Sequence, residues 1–283
     1  MRQPNLDTPK ASILETRQAL LEGTRRKATP LRKAFVQAPR GSSSRVGPLA
    51  QFVTGRDRRG LLTYLFALAL TSSSNEDGWS SRRDSLVWAR AIGFTAHASD
   101  TTARTSTWKA FGRLEERRLL IRGREGRKGQ SPVIRAMLLR EDASGEPYTR
   151  PGVDGDKSAY LQLPHRFWTK EYADRLELPG LAMLLVLLAG PSKGVKGLRL
   201  EMMPDWYGFS ADTTARGIKE LEQEGLVTVS KERIKAPLAP LGWSEVNVYH
   251  VSSDFRRLST QPRKEVKTED HERDQPEEDQ PST

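Results

Sequence analysis

With 283 residues, 36% of them hydrophobic, the chain has material for about two domains with small separate cores. It holds no cysteine, which excludes disulfides, thiolate metal ligands and thiol catalysis together and leaves nothing opposed to a cytoplasmic, nucleoid-associated location. A formal charge of +10 favours a polyanionic partner, because fixed Lys and Arg displace counterions condensed on phosphates. The longest apolar runs, about eleven residues, are too short to span a bilayer, so no membrane partner is expected.

That charge is unevenly spread: +7 over residues 1–46, +7 over 47–143, −1 over 144–256 and −3 over 257–283. Residues 1–46 form a basic N-terminal arm, expected to be partly disordered. Within it, Ser12 and Glu15 have capping-box spacing ahead of a short helix carrying Ile13, Leu14, Leu20 and Leu21. A flexible solvated arm, an arm that tracks phosphates and a dimerisation helix all fit that segment. Asp7, Glu15 and Glu22 argue against a transit peptide.

Residues 47–143 open a pattern that the chain then repeats. An apolar helix is expected over 61–70, a surface loop ending near Trp79, a second helix over 83–92, and a turn at Gly93-Phe94-Thr95 where glycine accepts positive φ. A third helix and a β-hairpin follow. Residues 144–158, rich in Gly, Pro and acid, are expected to be a linker. Over 159–256 the order returns: GLLTYLFALAL from Gly60 reappears as GLAMLLVLLAG from Gly180, DTTAR occurs at 100–104 and 212–216, and Gly208-Phe209 repeats the turn. Residues 257–283, acidic and with three prolines, are expected to be a disordered tail.

Two alignments compete for the third helix. Matching the pentapeptides gives an offset of 112 residues, and matching the Leu-Glu steps at Leu114 and Leu221 gives 107. At 100° per residue, Thr107, Ala110, Phe111 and Leu114 share one face, as do Thr214, Gly217, Ile218 and Leu221, which selects 107. Extending the first of these helices backwards would bring the charge of Arg104 towards the core, so a start near Thr105 is expected, with DTTAR as the lead-in.

On that phase Thr102, Thr105, Ser106, Lys109 and Arg113 face outwards, with hydroxyls and cations suited to base edges and phosphates in a major groove. Thr213 and Arg216 hold the matching face of the second module, where Glu220 stands in place of Arg113. The first hairpin tip offers Arg122, Arg124, Arg127 and Lys128 on flexible glycines, a composition that can follow a phosphate-lined groove. The second hairpin is apolar at Leu238, Leu241 and Trp243. With Phe167 and Trp168, these residues are candidates for a protein interface that pairs two copies in a homodimer.

Helix, helix, turn, helix, strand, loop, strand is a winged helix-turn-helix order. Ser210, Thr213, Thr214, Arg216, Leu221, Gly225 and Leu226 resemble a motif of bacterial winged-helix transcription regulators. The first module fits that motif more loosely, with Arg118 in place of the glycine. The two-module layout also resembles plasmid replication initiators, in which one module pairs subunits and the other reads DNA. The resulting expectation is a mainly α, α+β chain of two tandem winged helix-turn-helix domains that binds double-stranded DNA as a sequence-specific transcription regulator. The alternatives are a replication initiator of a plasmid or mobile element, and an interaction scaffold. His97, His165, His250 and His271 lack metal-ligand spacing and no GxxxxGK[ST] loop occurs, so no catalytic activity, metal, cofactor or small-molecule ligand is expected.

Overall fold

The computed structural model describes residues 10–74, 76, 78–126, 131–152 and 158–255. Helix α1 (Ile13–Glu22) starts in the expected capping box: the Glu15 N–H donates to Ser12 Oγ at 3.1 Å and the Ser12 N–H to Glu15 Oε2 at 2.7 Å. Strand β1 (Ala28–Arg32) and a 3-10 turn (Lys33–Phe35) follow, then α2 (Leu49–Thr54) and α3 (Arg58–Leu70). The first repeated unit continues with β2 (Ser80–Asp84), α4 (Ser85–Ile92), α5 (Asp100–Glu116), β3 (Leu120–Glu125) and β4 (Val133–Leu138). Beyond it lie β5 (Tyr160–Pro164), α6 (Arg166–Thr169), α7 (Tyr172–Arg175) and α8 (Leu178–Ala189). Next come β6 (Val195–Lys196), α9 (Met203–Tyr207), α10 (Ala211–Gln223), β7 (Val227–Lys235) and β8 (Trp243–Val251).

This is an α+β chain with small antiparallel sheets. From α3 to β4 and again from α8 to β8 the order is helix, strand, helix, helix, strand, strand, and in both sheets the last strand lies between the other two: β2-β4-β3 and β6-β8-β7. The first strand of each unit falls where the sequence pattern suggests only loop. Ser80–Asp84 is SSRRD, with no apolar alternation to signal a strand, and its backbone is satisfied by β4 from Ser80↔Met137 to Asp84↔Val133. Asp84 ends that strand by capping α4, accepting from the Leu86 N–H at 2.7 Å, so the helix begins at Ser85 rather than at 83. The turns are as expected. Gly93 has φ 87° and Gly208 φ 76°, and the phenylalanine after each is buried.

Residues 10–46 correct the picture of a flexible arm. Strand β1 pairs with β5 from Ala28↔Pro164 to Arg32↔Tyr160, joining a segment before the first unit to one that opens the second. Arg17 of α1 is wholly buried: its Nε donates to the Ala91 carbonyl at 2.8 Å, its guanidinium forks onto Asp174, and its plane lies 5.5 Å from the Trp168 ring. Arg32 is buried against Glu141, whose carboxyl burial pushes towards the neutral form while Arg32 opposes that shift. Such groups are stable only because each is paired. The two units share one apolar core, in which Trp168 meets Phe66 edge-on at 4.8 Å and Phe66 meets Trp88 at 6.3 Å. The expected linker is also partly structured: Tyr148 is buried and packs edge-on against Trp79 at 5.5 Å. Residues 153–157 and the expected acidic tail lie outside the described residues. No helix among the described residues is long and apolar enough to cross a membrane.

Candidate nucleic-acid interface

The third helix of each unit starts from a serine cap. In α5 the Thr102 N–H donates to Ser99 Oγ at 3.3 Å, and in α10 the Thr213 N–H donates to Ser210 Oγ at 3.1 Å. The buried residues obey the offset of 107: Thr107, Ala110, Phe111 and Leu114 in α5, Thr214, Gly217, Ile218 and Leu221 in α10. The caps are 111 residues apart, however, so α5 has one additional turn at its start. Consequently DTTAR is helical in both units, and α5 begins at Asp100, not near Thr105. The charge of Arg104 does not prevent this. Its guanidinium is half-buried but donates to Ser85 Oγ and to Ser131 Oγ at 2.9 Å, with Asp84 3.7 Å away, while the small Ala103 takes the core position.

The longer helix presents Thr101, Thr102, Thr105 and Lys109 to solvent, with Ser106 half-buried beside them. No residue from 101 to 109 is acidic. Thr101, Thr105, Arg104 and Trp108 line a groove of about 220 Å³ whose far wall includes Arg124 of β3 and whose floor reaches Ser85. Thr101, Arg104 and Trp108 were not among the sequence candidates. Starting the helix one turn earlier would have placed Thr101, Thr105 and Lys109 on one face at spacings of four.

The expected cations separate into two groups. Lys109 and Arg124 are exposed and have no charged partner among the described residues. Arg113 and Arg122 are structural. Arg113 forks onto Asp57 through Nε and Nη2 at 2.9 and 2.8 Å, and Arg117 Nη1 donates to the same carboxylate at 2.6 Å. Asp57 also accepts from the Gly60 N–H at 2.9 Å, capping α3. Burial alone would raise the Asp57 pKa; the bonds from Arg113, Arg117 and Gly60 outweigh it and hold the group at about 2. Asp57 in turn raises the Arg113 pKa. Arg122 donates to Glu115 Oε2 and to the Trp108 carbonyl, each at 2.9 Å, and stacks 4.2 Å from the Trp108 ring centroid, across α5 at Gly112. A Cβ at Gly112 would come within 2.6 Å of the Arg122 guanidinium, which explains a glycine in mid-helix. Arg127 and Lys128 lie outside the described residues. The one carboxylate of this hairpin, Glu125, is held by Arg82 and Arg135.

In the second unit Arg216 is exposed, in an i,i+4 pair with Asp212 at 3.0 Å. Such a surface pair is worth little and is readily exchanged for a phosphate. Thr213 serves the cap and is half-buried. Glu220 does not project outwards: its carboxylate accepts from the Gly180 N–H at 3.0 Å and from the Glu177 N–H, closing the start of α8.

Two residues of the expected subunit interface are corrected. Phe167 and Trp168 are each 1% exposed, packed edge-on against one another and against Phe255 and Phe66, and cannot meet a partner. Their signal was ambiguous because aromatic residues serve cores and interfaces alike. Leu238 and Leu241 are exposed, at the tip of the β7–β8 hairpin, and Trp243 lies under Arg233 with the guanidinium 4.3 Å from its ring centroid. Among the described residues no cluster of three or more His, Asp or Glu is placed to hold a metal ion. No protein-family model, curated protein or solved structure matches the chain.

Proposed function

We propose that the chain binds double-stranded DNA through two tandem winged helix-turn-helix units and acts as a non-catalytic, sequence-specific transcription regulator. The observation that carries this reading is the solvent face of α5. After an exposed Asp100 at its first position, it offers Thr101, Thr102, Thr105 and Lys109 over nine residues with no further carboxylate, beside a hairpin that contributes Arg124. A helix about 10–12 Å across matches a major groove about 12 Å wide, and hydroxyls with one cation can bond base edges where a bare cationic patch would bind only phosphate. The charge of +7 over residues 47–143 supplies the attraction that brings such a helix to the duplex.

In each unit the third helix follows a strand and a short helix and precedes a hairpin whose second strand is central in the sheet. That order supports the winged-helix assignment, with β3–β4 and β7–β8 as the wings. The test is selection of bound duplexes from a random pool, followed by titration of the recovered site and by footprinting. The expectation is a recurrent site bound at least about a thousandfold more tightly than bulk DNA. A single inverted site near a promoter fits a regulator, whereas an array of direct repeats would overturn that role in favour of an initiator. Failure to bind any duplex at about 50 mM salt would refute the reading as a whole.

A further inference from the structure

The β7–β8 hairpin is built to leave the body of the protein. Only Val227 of β7 is buried, and the third strand, β6, accompanies β8 no further than Tyr249 and Val248. The Gly197 N–H still donates to the Asn247 carbonyl at 3.1 Å. From the row Glu232↔Val246 to the row Lys235↔Trp243 the hairpin is a bare two-stranded ribbon, and three steps at about 3.3 Å give a reach of about 10 Å before the turn. Its end is ordered rather than frayed: the Ala236 N–H donates to the Gly242 carbonyl at 2.9 Å, and the Gly242 N–H donates to Ala239 at 2.8 Å. On that end Leu238 is 101% exposed and Leu241 72%, each preceded by a proline, Pro237 and Pro240, whose ring fixes φ.

Two neighbouring leucines held out in water at an ordered tip mark a contact site. Charge selects it. From Arg233 to Ser244 the ribbon holds Arg233 and Lys235 and no carboxylate. Glu245 stands opposite Arg233 and is held by Lys231 at 2.9 Å, and Glu232, one row back, is held by Lys196 at 2.7 Å, which leaves Arg233 and Lys235 in excess. The end of the ribbon is therefore an apolar point with a cationic collar. A second copy is a poor fit. The seven residues 236–242 fall well short of the roughly 20–30 a side of a stable interface, and the open edge of β7 carries Lys231, Glu232, Arg233 and Lys235, which oppose edge pairing. A duplex minor groove fits both features, with phosphates for the collar and a base stack into which Leu or Pro side chains can wedge.

Resting on the DNA-binding reading above, we infer that Leu238 and Leu241 insert into the minor groove and kink the duplex, so that the second unit bends DNA while α5 reads it. The test is ligase-driven circularisation of random-sequence duplexes of about 100 bp, shorter than the persistence length of about 150 bp, with binding and solution mass measured in parallel. The full-length protein is expected to raise the yield of circles. Leu238→Ser with Leu241→Ser should give at least about tenfold fewer circles while weakening binding less than about threefold, and Leu238→Phe with Leu241→Phe should retain them. Because both leucines are solvent-exposed, neither pair of substitutions disturbs the core.

Wild-type protein that binds duplex but makes no circles overturns the wedge and leaves the DNA-binding reading standing. So does a serine variant that circularises DNA normally. A wild-type dimer that the serine pair converts to monomer, with circle yield unchanged, assigns the tip to subunit contact and also overturns it. Absence of any duplex binding removes the DNA-binding reading itself, and the wedge with it.

Discussion

Asp57 is where one carboxylate holds three donors, and its removal separates a structural role for Arg113 from a DNA-reading one. The Asp57 pKa is held at about 2 against an ordinary 3.8. At 1.36 kcal/mol per unit, the charged form contributes about 2 kcal/mol to folding at neutral pH. The folded pKa is depressed, so this contribution is complete above about pH 4 and is lost as pH falls through 2; at pH 3 about 1 kcal/mol remains. Asp57→Asn keeps an acceptor for the Gly60 N–H but removes the charge facing Arg113 and Arg117. Urea unfolding should show a loss of about 2 kcal/mol at pH 7, and the gap to wild type should narrow to about 1 kcal/mol at pH 3. Arg113→Ala should lose stability in the same range and leave the preferred DNA sequence unchanged. An Asp57→Asn protein within about 0.5 kcal/mol of wild type at pH 7, or an Arg113→Ala protein of full stability with altered base preference, would refute the assignment.

For the reading face, Lys109→Ala should cost about 1–3 kcal/mol on the selected site and much less on random duplex, as measured by anisotropy titration; equal losses on both would make the contact one to phosphate. Arg124→Ala should weaken binding on all sequences and lower the slope of log K against log salt by roughly 0.9, and an unchanged slope would exclude a phosphate contact. His165 is buried at the β1–β5 pairing, 3.2 Å from Thr29 Oγ1; burial, with Arg26 nearby, lowers its pKa to about 4 from 6.5. Neutral His165 therefore supports the fold above about pH 6.5, and wild type should lose about 3 kcal/mol more than His165→Gln between pH 7 and pH 4, a difference that unfolding curves at the two pH values would reveal.

The repeat was visible in the sequence because its strongest signals are local. The apolar runs from Gly60 and Gly180 are buried helices, the two Gly-Phe turns carry their own chemistry, and periodicity alone found the core face of α5 and α10. Features decided by distant partners were not visible. Arg17 and Arg32 have the composition of a solvated arm, and only the fold brings Asp174 and Glu141, 157 and 109 residues away, against them. SSRRD becomes a strand because β4 is alongside it. The same limit applied at the start of α5, where the objection to burying Arg104 fails because Ser131 arrives from the far end of the hairpin.

The contrast between Arg113 and Glu220, which in sequence suggests a DNA-reading unit beside a non-reading one, has a different physical origin. The two residues occupy one position, 107 apart, and both attend to the N-terminus of the first helix of their unit. In the first unit Asp57 caps α3 with its own side chain, and Arg113 braces that carboxylate. In the second, Glu177 begins α8 without a side-chain cap, and Glu220 reaches across from α10 to accept from the free N–H groups. Orphan donors at a helix start need an acceptor, and at both junctions a carboxylate fills that role, supplied by the cap residue in one unit and by the third helix in the other. The exchange of charge thus reports which helix supplies the acceptor and carries no information about phosphate. Glu220 bonded to backbone does not repel a duplex as an exposed carboxylate would, and Arg216, Lys219, Arg233 and Lys235 are all exposed in the same unit. With Phe167 and Trp168 buried and Glu220 assigned to a helix end, the second unit loses three of the grounds on which subunit pairing was expected of it. What remains on its surface is a near-balance of charges, with Arg233 and Lys235 gathered behind the apolar tip of a ribbon, and it is on that local arrangement that the proposed DNA bending rests.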